Sequence, residues 1–233
     1  MTNTQPKPYT IIDNRRNGRF SSALSFDLRN STKVTRQLTQ SKDLDLFPQY
    51  VEFVMGLKLV IFEKLGFAKT AEWSINDTGD GFICLLWDEL HAWTALKVAR
   101  ILRNFFEEAL ASQNGVYSFM GNEQLSYGIG LHSGGSIVCR CTQMERDFFY
   151  GSVVNSAARI ESFTKTFVDT KVILSAYFVE MLQAQDAKAN KKITFEELEK
   201  KYLKKLTAKR VDVKDAKERG HYLYTVKWPI PEL

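Results

Sequence analysis

Cysteine is scarce: Cys84, Cys139 and Cys141 are the only three in 233 residues. Three cannot form a paired framework, and Cys139 and Cys141 point to one face of an expected strand, where they cannot easily bridge each other. No second Cys/His cluster accompanies them, which argues against a zinc site. A long apolar run is also missing. The opening stretch MTNTQPKPYTIIDNRRNGRF lacks the core of a signal peptide, and no segment reaches the ~20 apolar residues that span a bilayer. The expectation is a cytoplasmic protein that does not enter a membrane. Charge of one sign is lacking too, since 32 basic against 27 acidic residues leave a formal net charge of +5. The densest basic stretch, Lys188 to Arg219, is broken by Glu196, Glu197, Glu199, Asp212 and Asp215. It reads as a solvated surface, not as a nucleic-acid stripe. A mild basic excess suits a polyanionic substrate such as a nucleotide.

What is present is enough apolar residue, 44% of the chain, to bury a sizeable core. With no internal repeat and no linker, residues 21–233 are expected to form one domain after a polar lead-in over 1–20. Leu24 and Phe26 alternate with Ser25 into Asp27, a short strand ending on a carboxylate. After a polar stretch, Phe47, Tyr50, Val54, Leu57, Ile61 and Leu65 recur every three or four residues and predict an amphipathic helix. Pro48 suits its first turn and Gly66 its end. FAKTAEWSI and FICLLW read as two strands joined by Asn76-Asp77-Thr78-Gly79-Asp80-Gly81, a hairpin turn. Val98, Ile101, Leu102, Phe105 and Ala109 mark a second long helix.

Further on, Leu125, Tyr127, Ile129 and Leu131 alternate with small residues as a half-buried strand. His132 to Gly135 reads as a turn into another strand, Ser136 to Arg140. A helix is expected from Ser152 to Phe163, a strand over Val172–Leu174, a charged helix over Phe195–Leu206 and a last strand over Tyr222–Val226. Two long helices interleaved with a mostly antiparallel sheet make an α+β fold of the ferredoxin-like, split βαβ kind.

Two constellations could carry chemistry. Asp27 follows an apolar strand, and Asp80 lies in a glycine-flanked turn where backbone or phosphate can come close. Carboxylates from neighbouring strand ends could share a pair of hard cations, Mg2+ or Mn2+. Taken singly, each aspartate is as readily a turn residue or a cap. In Gly151 to Arg159, Asn155 and Arg159 lie four apart on one helix face, with Val153, Ala157 and Ile160 free to pack inward. One amide and one guanidinium can orient a ribose and stabilise charge on a phosphoryl group. An arginine snorkelling over the core is the plainer alternative.

The order of these segments resembles the catalytic domain of class III adenylate and guanylate cyclases. The similarity rests on Ser25-Phe26-Asp27-Leu28-Arg29-Asn30-Ser31-Thr32, on Thr78-Gly79-Asp80-Gly81-Phe82, and on Gly128 to Gly134 followed by Gly151 to Ser162. It spans roughly Ser22 to Lys171. The resemblance implies that Asp27 and Asp80 bind two divalent metals, Mn2+ or Mg2+, with the backbone carbonyl of Leu28 as a further ligand. Backbone amides of Arg29, Asn30, Ser31 and Thr32 would meet the β- and γ-phosphates. Asn155 would position the ribose and Arg159 would stabilise the α-phosphate, both acting across a homodimer with two shared sites. Lys214, with Lys217 close behind, is the candidate for the family's phosphate-binding lysine. No general-base side chain is needed, and His132 reads as structural.

Base choice in this family rests on two positions, which fall here on Asn76 and Phe148. Neither matches the adenine or guanine set. A phenylalanine takes up room, and Asn76 can donate and accept towards uracil or cytosine. Tyr50 is a further pocket candidate, with a core or interface aromatic as its alternative. The chain is also expected to stand alone, without a sensor module. In both respects it resembles the stand-alone pyrimidine cyclases of bacterial Pycsar anti-phage systems. The implied function is a uridylate cyclase first and a cytidylate cyclase second, whose cyclic nucleotide a separate effector protein reads. An adenylate cyclase with a divergent pocket and a non-catalytic sensing domain are the rivals. A ferredoxin-like RNA binder would instead want exposed aromatics on central strands, where Phe82 and Tyr127 read as core.

Overall fold

The computed structural model describes residues 17–40, 46–65, 73–111, 125–141, 146–167, 169–189, 191–206 and 222–230. In chain order the elements are β1 (Asn17–Arg29), α1 (Ser31–Gln40), α2 (Leu46–Leu65), β2 (Trp73–Asp77), β3 (Phe82–Leu86), α3 (His91–Ala111), β4 (Ser126–Cys141), β5 (Arg146–Tyr150), α4 (Ser152–Ser162), β6 (Val172–Ser175), α5 (Ala176–Ala184), α6 (Phe195–Tyr202), β7 (Leu203–Leu206) and β8 (Leu223–Val226). The strands form one sheet in the order β2-β3-β1-β4-β6-β8-β7, with β5 pairing the far end of β4. Among the described strands only β4 and β6 run parallel. This is the expected α+β architecture.

Strand alternation sorts side chains to the two faces of the sheet. Leu24, Phe26 and Leu28 of β1 join Phe53, Leu57, Leu96 and Leu102 of α2 and α3 in the main core. Ala23 and Leu85 point the other way and pack with Val153 and Ala157 of α4. The two long helices therefore cover one face, and α4 lies on the other. Phe82 and Tyr127 are buried, at 1% and 2% exposure, so the RNA-binding alternative loses its stacking platform. Among the described residues no helix is long and apolar enough to cross a membrane.

Several expectations need correction. β1 begins at Asn17, inside the span read as a lead-in, because β4 offers partners as far as Val138 opposite Asn17. For the same reason His132 to Gly135 is not a turn. These residues pair with Phe20 to Ala23 of β1, and β4 runs unbroken from Ser126 to Cys141. A long ladder overrides local turn chemistry. Asn76 and Asp77 belong to β2, paired with Ile83 and Phe82, and the turn shrinks to Thr78–Gly81, closed by Thr78 N–H donating to the Gly81 carbonyl at 3.0 Å. The tail helix stops at Tyr202, where the edge of β8 recruits Leu203–Leu206 as β7. The polar stretch after Asp27 contains α1, which buries only Ser31, Val34 and Leu38. α5 has no counterpart among the expectations. Phe47 leaves the buried stripe of α2 and is 39% exposed.

Candidate active site

Asp27 and Asp80 are brought together by what lies under them. Phe26 and Phe82 are cross-strand partners, and their rings stack at a centroid distance of 5.1 Å. Each sits within two residues of an aspartate, so the buried stack fixes both backbones. Gly81 then lets the hairpin turn lie against β1: a Cβ there would stand 2.5 Å from the Phe26 carbonyl oxygen and 3.3 Å from Asp27 Cα. The Ser31 hydroxyl donates to Asp80 Oδ2. Burial raises the Asp27 carboxyl above its ordinary value, Arg29 pulls the other way, and the negative charge of Asp80 raises it further. Carboxylate oxygens are the donor type that hard cations take.

The chain turns from β1 directly into α1 through Asn30, whose φ of 64° is one that asparagine tolerates better than most residues. Val34 N–H donates to the Asn30 carbonyl at 2.9 Å as the first helical bond. The first turn of a helix presents amides without intrahelical acceptors and favours anions. Here that turn, at Ser31 and Thr32, lies beside Asp80. A cleft of about 630 Å³ opens at this point between α1 and α2, and Ser31, Thr32, Tyr50, Lys58 and Asp80 are among its lining residues. Tyr50 is buried at 6% exposure. Burial raises its phenol, and Asp80 adds to the shift while a bond with Thr35 opposes it.

α4 presents two faces. Val153, Ser156, Ala157, Ile160 and Glu161 are buried, whereas Asn155 and Arg159 are exposed. The buried face lies directly on β4, because a Cβ on Gly130 would come within 2.3 Å of the Ala157 carbonyl oxygen and the Glu161 nitrogen. The pair expected to act on substrate is thus turned outward, as a residue pair serving a second copy would be. Asn76 is half-buried on β2 opposite Ile83, and Phe148 lies on β5 opposite Cys139. β2 and β5 contact each other, but Asn76, paired with Ile83, lies on the α4 face of the sheet, whereas Tyr50 belongs to the core on the opposite face. Lys214 and Lys217 lie outside the described residues.

No group of three or more His, Cys, Asp or Glu side chains that could by itself hold a metal ion exists among the described residues. Two carboxylates still fit Mg2+ or Mn2+, which complete their shells with substrate phosphates and water. The Leu28 side chain is core at 2% exposure, leaving its backbone oxygen as the donor it can offer.

Sequence reasoning missed two supports. Lys58 of α2 donates to Asp77 and to the Gly79 carbonyl, gripping the hairpin that carries Asp80. The Arg29 side chain bridges Asp27 to Glu161 and Thr164 at the far end of α4. Burial pushes the Glu161 carboxyl up to about 7, outweighing the pull of Arg29. The available signal was a charged residue on each apolar stripe: Lys58 between Leu57 and Ile61, and Glu161 beside Ala157 and Ile160.

The family model for the adenylate and guanylate cyclase catalytic domain matches residues 61–223, well over half the chain. That stretch includes Asp80, Asn155 and Arg159 and begins after Asp27. No curated protein matches the sequence. Among solved structures, the adenylyl cyclase CyaB from P. aeruginosa superposes with a TM-score of 0.62 at 14% identity, covering 93% of this chain and 98% of that one. The guanylyl cyclase Cya2 gives a TM-score of 0.51 at 18% identity, with 91% and 92% covered. A bacterial light-regulated adenylyl cyclase gives 0.60 at 16%, with 91% of this chain covered but 52% of that one, so this chain spans about half its length. Fold and family model agree: the chain belongs to the adenylate and guanylate cyclase catalytic domain family, with the class III fold.

Proposed function

We propose that the chain is a nucleotidyl cyclase that converts a pyrimidine nucleoside triphosphate, UTP first and CTP second, to the 3′,5′-cyclic nucleotide and pyrophosphate. The observation that carries this reading is that Gly81 seats the Asp80 hairpin against β1 beside Asp27, while Asp80 accepts from Ser31 at the first turn of α1 and lines the cleft. Two divalent ions, when bound there, would activate the ribose 3′-hydroxyl and neutralise the triphosphate.

The chain's own residues do the rest by positioning and by charge. Asp27 and Asp80, with the Leu28 carbonyl, hold the cations. Amides from Arg29 to Thr32 take the β- and γ-phosphates, and Lys214 adds a cation to them. Asn155 and Arg159 act across a homodimer, so each of its two sites draws the aspartates from one copy and α4 from the other. Asn155 orients the ribose, and the Arg159 guanidinium stabilises the charge that grows on the α-phosphoryl oxygens. The 3′-oxygen forms its bond to the α-phosphorus, the bond to the β-phosphate oxygen breaks, pyrophosphate leaves, and the hydroxyl proton passes to solvent.

Base choice is assigned to Asn76 on β2 and Phe148 on β5, strands that contact each other, with Tyr50, which lines the cleft on the other face of the sheet, as a further candidate. An asparagine amide matches the O4/N3 edge of uracil or the N4/N3 edge of cytosine, and a phenylalanine leaves less room for a purine. The cyclic product would then be a second messenger for a separate effector, as in the anti-phage systems the sequence resembles. Incubating the chain with Mn2+ and each of the four ribonucleoside triphosphates, and weighing the products, tests the reading. A cyclic pyrimidine nucleotide is expected. Much faster turnover of ATP would replace the base assignment, and no cyclic product from any triphosphate would leave a sensing domain instead.

A further inference from the structure

Arg29 stands two residues after Asp27, where only its backbone is assigned to phosphate. Its side chain is engaged elsewhere. Nη1 donates to Asp27 Oδ2 at 3.0 Å, while Nη2 donates to the Glu161 carboxylate, to the Glu161 carbonyl oxygen at 3.1 Å and to Thr164 Oγ1 at 2.6 Å. The Arg29 and Glu161 side chains are 13% and 8% exposed. The space they share exists because Gly128 has no side chain: a Cβ there would stand 2.4 Å from Arg29 Nη2 and from Glu161 Oε1, and 2.2 Å from Thr164 Oγ1. One guanidinium thus runs from a candidate metal ligand to the C-terminal end of α4.

Glu161 and Thr164 already hold Nη2, so a purely structural node has no need to end on Asp27. The contact has a consequence for cation capture. A carboxylate oxygen that accepts from a guanidinium has less to offer a metal, so the two compete for Asp27, and a divalent ion wins on charge. The Nη2 bonds keep Arg29 anchored when Nη1 is displaced. We infer that Arg29 is a positioning residue that holds Asp27 against α4, and that cation capture at Asp27 is transmitted through it to the helix that offers Asn155 and Arg159 to the other copy. This rests on the metal and dimer assignments of the proposed function.

The test uses the full chain and Mn2+ alone, with free Mn2+ followed by electron paramagnetic resonance. Arg29→Gln removes the competitor and is expected to bind Mn2+ about fivefold more tightly. Glu161→Gln takes away the carboxylate that holds Nη2, so the guanidinium leans further on Asp27, and the variant is expected to bind about fivefold more weakly. A merely structural node would weaken both variants or move neither. Hydrogen exchange over Ile160–Thr164 should also change when Mn2+ is added to the unaltered chain, and not in Arg29→Gln. Binding that Asp80→Asn abolishes, but that the two variants fail to shift in opposite directions, overturns this inference alone. So does exchange at Ile160–Thr164 that ignores Mn2+. Failure of the unaltered chain to bind Mn2+ overturns the metal assignment of the proposed function and this inference with it. If Arg29→Gln does not fold, the near-isosteric Glu161→Gln decides, and unchanged or tighter binding there overturns the inference.

Discussion

Lys58 Nζ donates to both carboxylate oxygens of Asp77, at 2.8 and 2.7 Å, and to the Gly79 carbonyl at 2.8 Å. Asp77 Oδ1 also accepts from Gly79 N–H at 2.7 Å, so α2 grips the hairpin one residue short of Asp80. The Lys58 side chain is only 10% exposed, which shields the contact from water although Asp77 itself is half in solvent. Lys58→Met keeps the packed stem and removes the ammonium. It should cost about 1–2 kcal/mol of unfolding free energy and weaken Mn2+ binding severalfold, because Asp80 loses its fixed backbone. Denaturant unfolding and a Mn2+ titration check the two effects separately. Lower stability with unchanged Mn2+ affinity would assign Lys58 to folding alone.

Gly130 tests how closely α4 depends on the sheet. The atoms that a Cβ would strike, the Ala157 carbonyl oxygen and the Glu161 nitrogen at 2.3 Å, are both backbone and cannot rotate away. Gly130→Ala should therefore lift α4 and cost at least ~2 kcal/mol. Gly135→Ala on the same strand is the control, since nothing lies within 4 Å of its Cβ. It should change stability by less than about 0.5 kcal/mol. Equal melting temperatures for the two variants would mean that α4 is not seated on β4 in this way.

These glycines also show what the sequence made legible. The alternation of Gly128 and Gly130 with Ile129 and Leu131 is visible as a strand, because period-2 patterning survives whatever lies on the small face. That the small face is small to admit α4, Arg29 and Glu161 is not visible, since α4 and Glu161 lie some thirty residues further on, Arg29 about a hundred residues back, and only folding brings them together. α2 was legible from a six-residue apolar stripe, of which Tyr50, Val54, Leu57 and Ile61 are buried, whereas α1 buries only two apolar side chains and leaves no such trace. The turn at His132–Gly135 failed for the opposite reason, because local chemistry was plain and a non-local ladder overrode it. Of the candidate site, the aspartates and the α4 pair were readable as motifs. Their supports, Lys58 and the Arg29–Glu161 node, depend on distances that no spacing encodes.

His91 opens α3 with its Nδ1 2.8 Å from the Ser22 hydroxyl and is 5% exposed. Burial pushes its pKa down to about 4, below the ordinary 6.5, so the folded chain keeps the ring neutral. The unfolded chain takes up its proton first as the pH falls. The neutral ring's contribution is therefore complete above about pH 6.5 and is lost between there and pH 4, up to about 3 kcal/mol in all. His91→Asn keeps a polar atom near Ser22 and does not titrate. Unfolding free energies at pH 7 and pH 4.5 should drop much further for the unaltered chain than for His91→Asn. Parallel drops would place the acid sensitivity elsewhere.

The shared site predicts complementation between two inactive proteins. Asp27→Asn spoils the half-site that holds cations, and Arg159→Ala spoils the half-site that α4 offers across the dimer. Each homodimer should be inactive by at least ~100-fold, because each lacks one half in both sites. In a mixed dimer one site inherits both defects, and the other combines intact aspartates from the Arg159→Ala copy with an intact α4 from the Asp27→Asn copy. If subunits exchange freely, half the dimers are mixed and each has one working site, so equal mixing should restore about a quarter of the unaltered activity. The outward turn of Asn155 and Arg159 on α4 is the reason to expect this. If the chain instead completed its site alone, mixing would restore nothing, and Arg159 would have to reach the aspartates of its own copy.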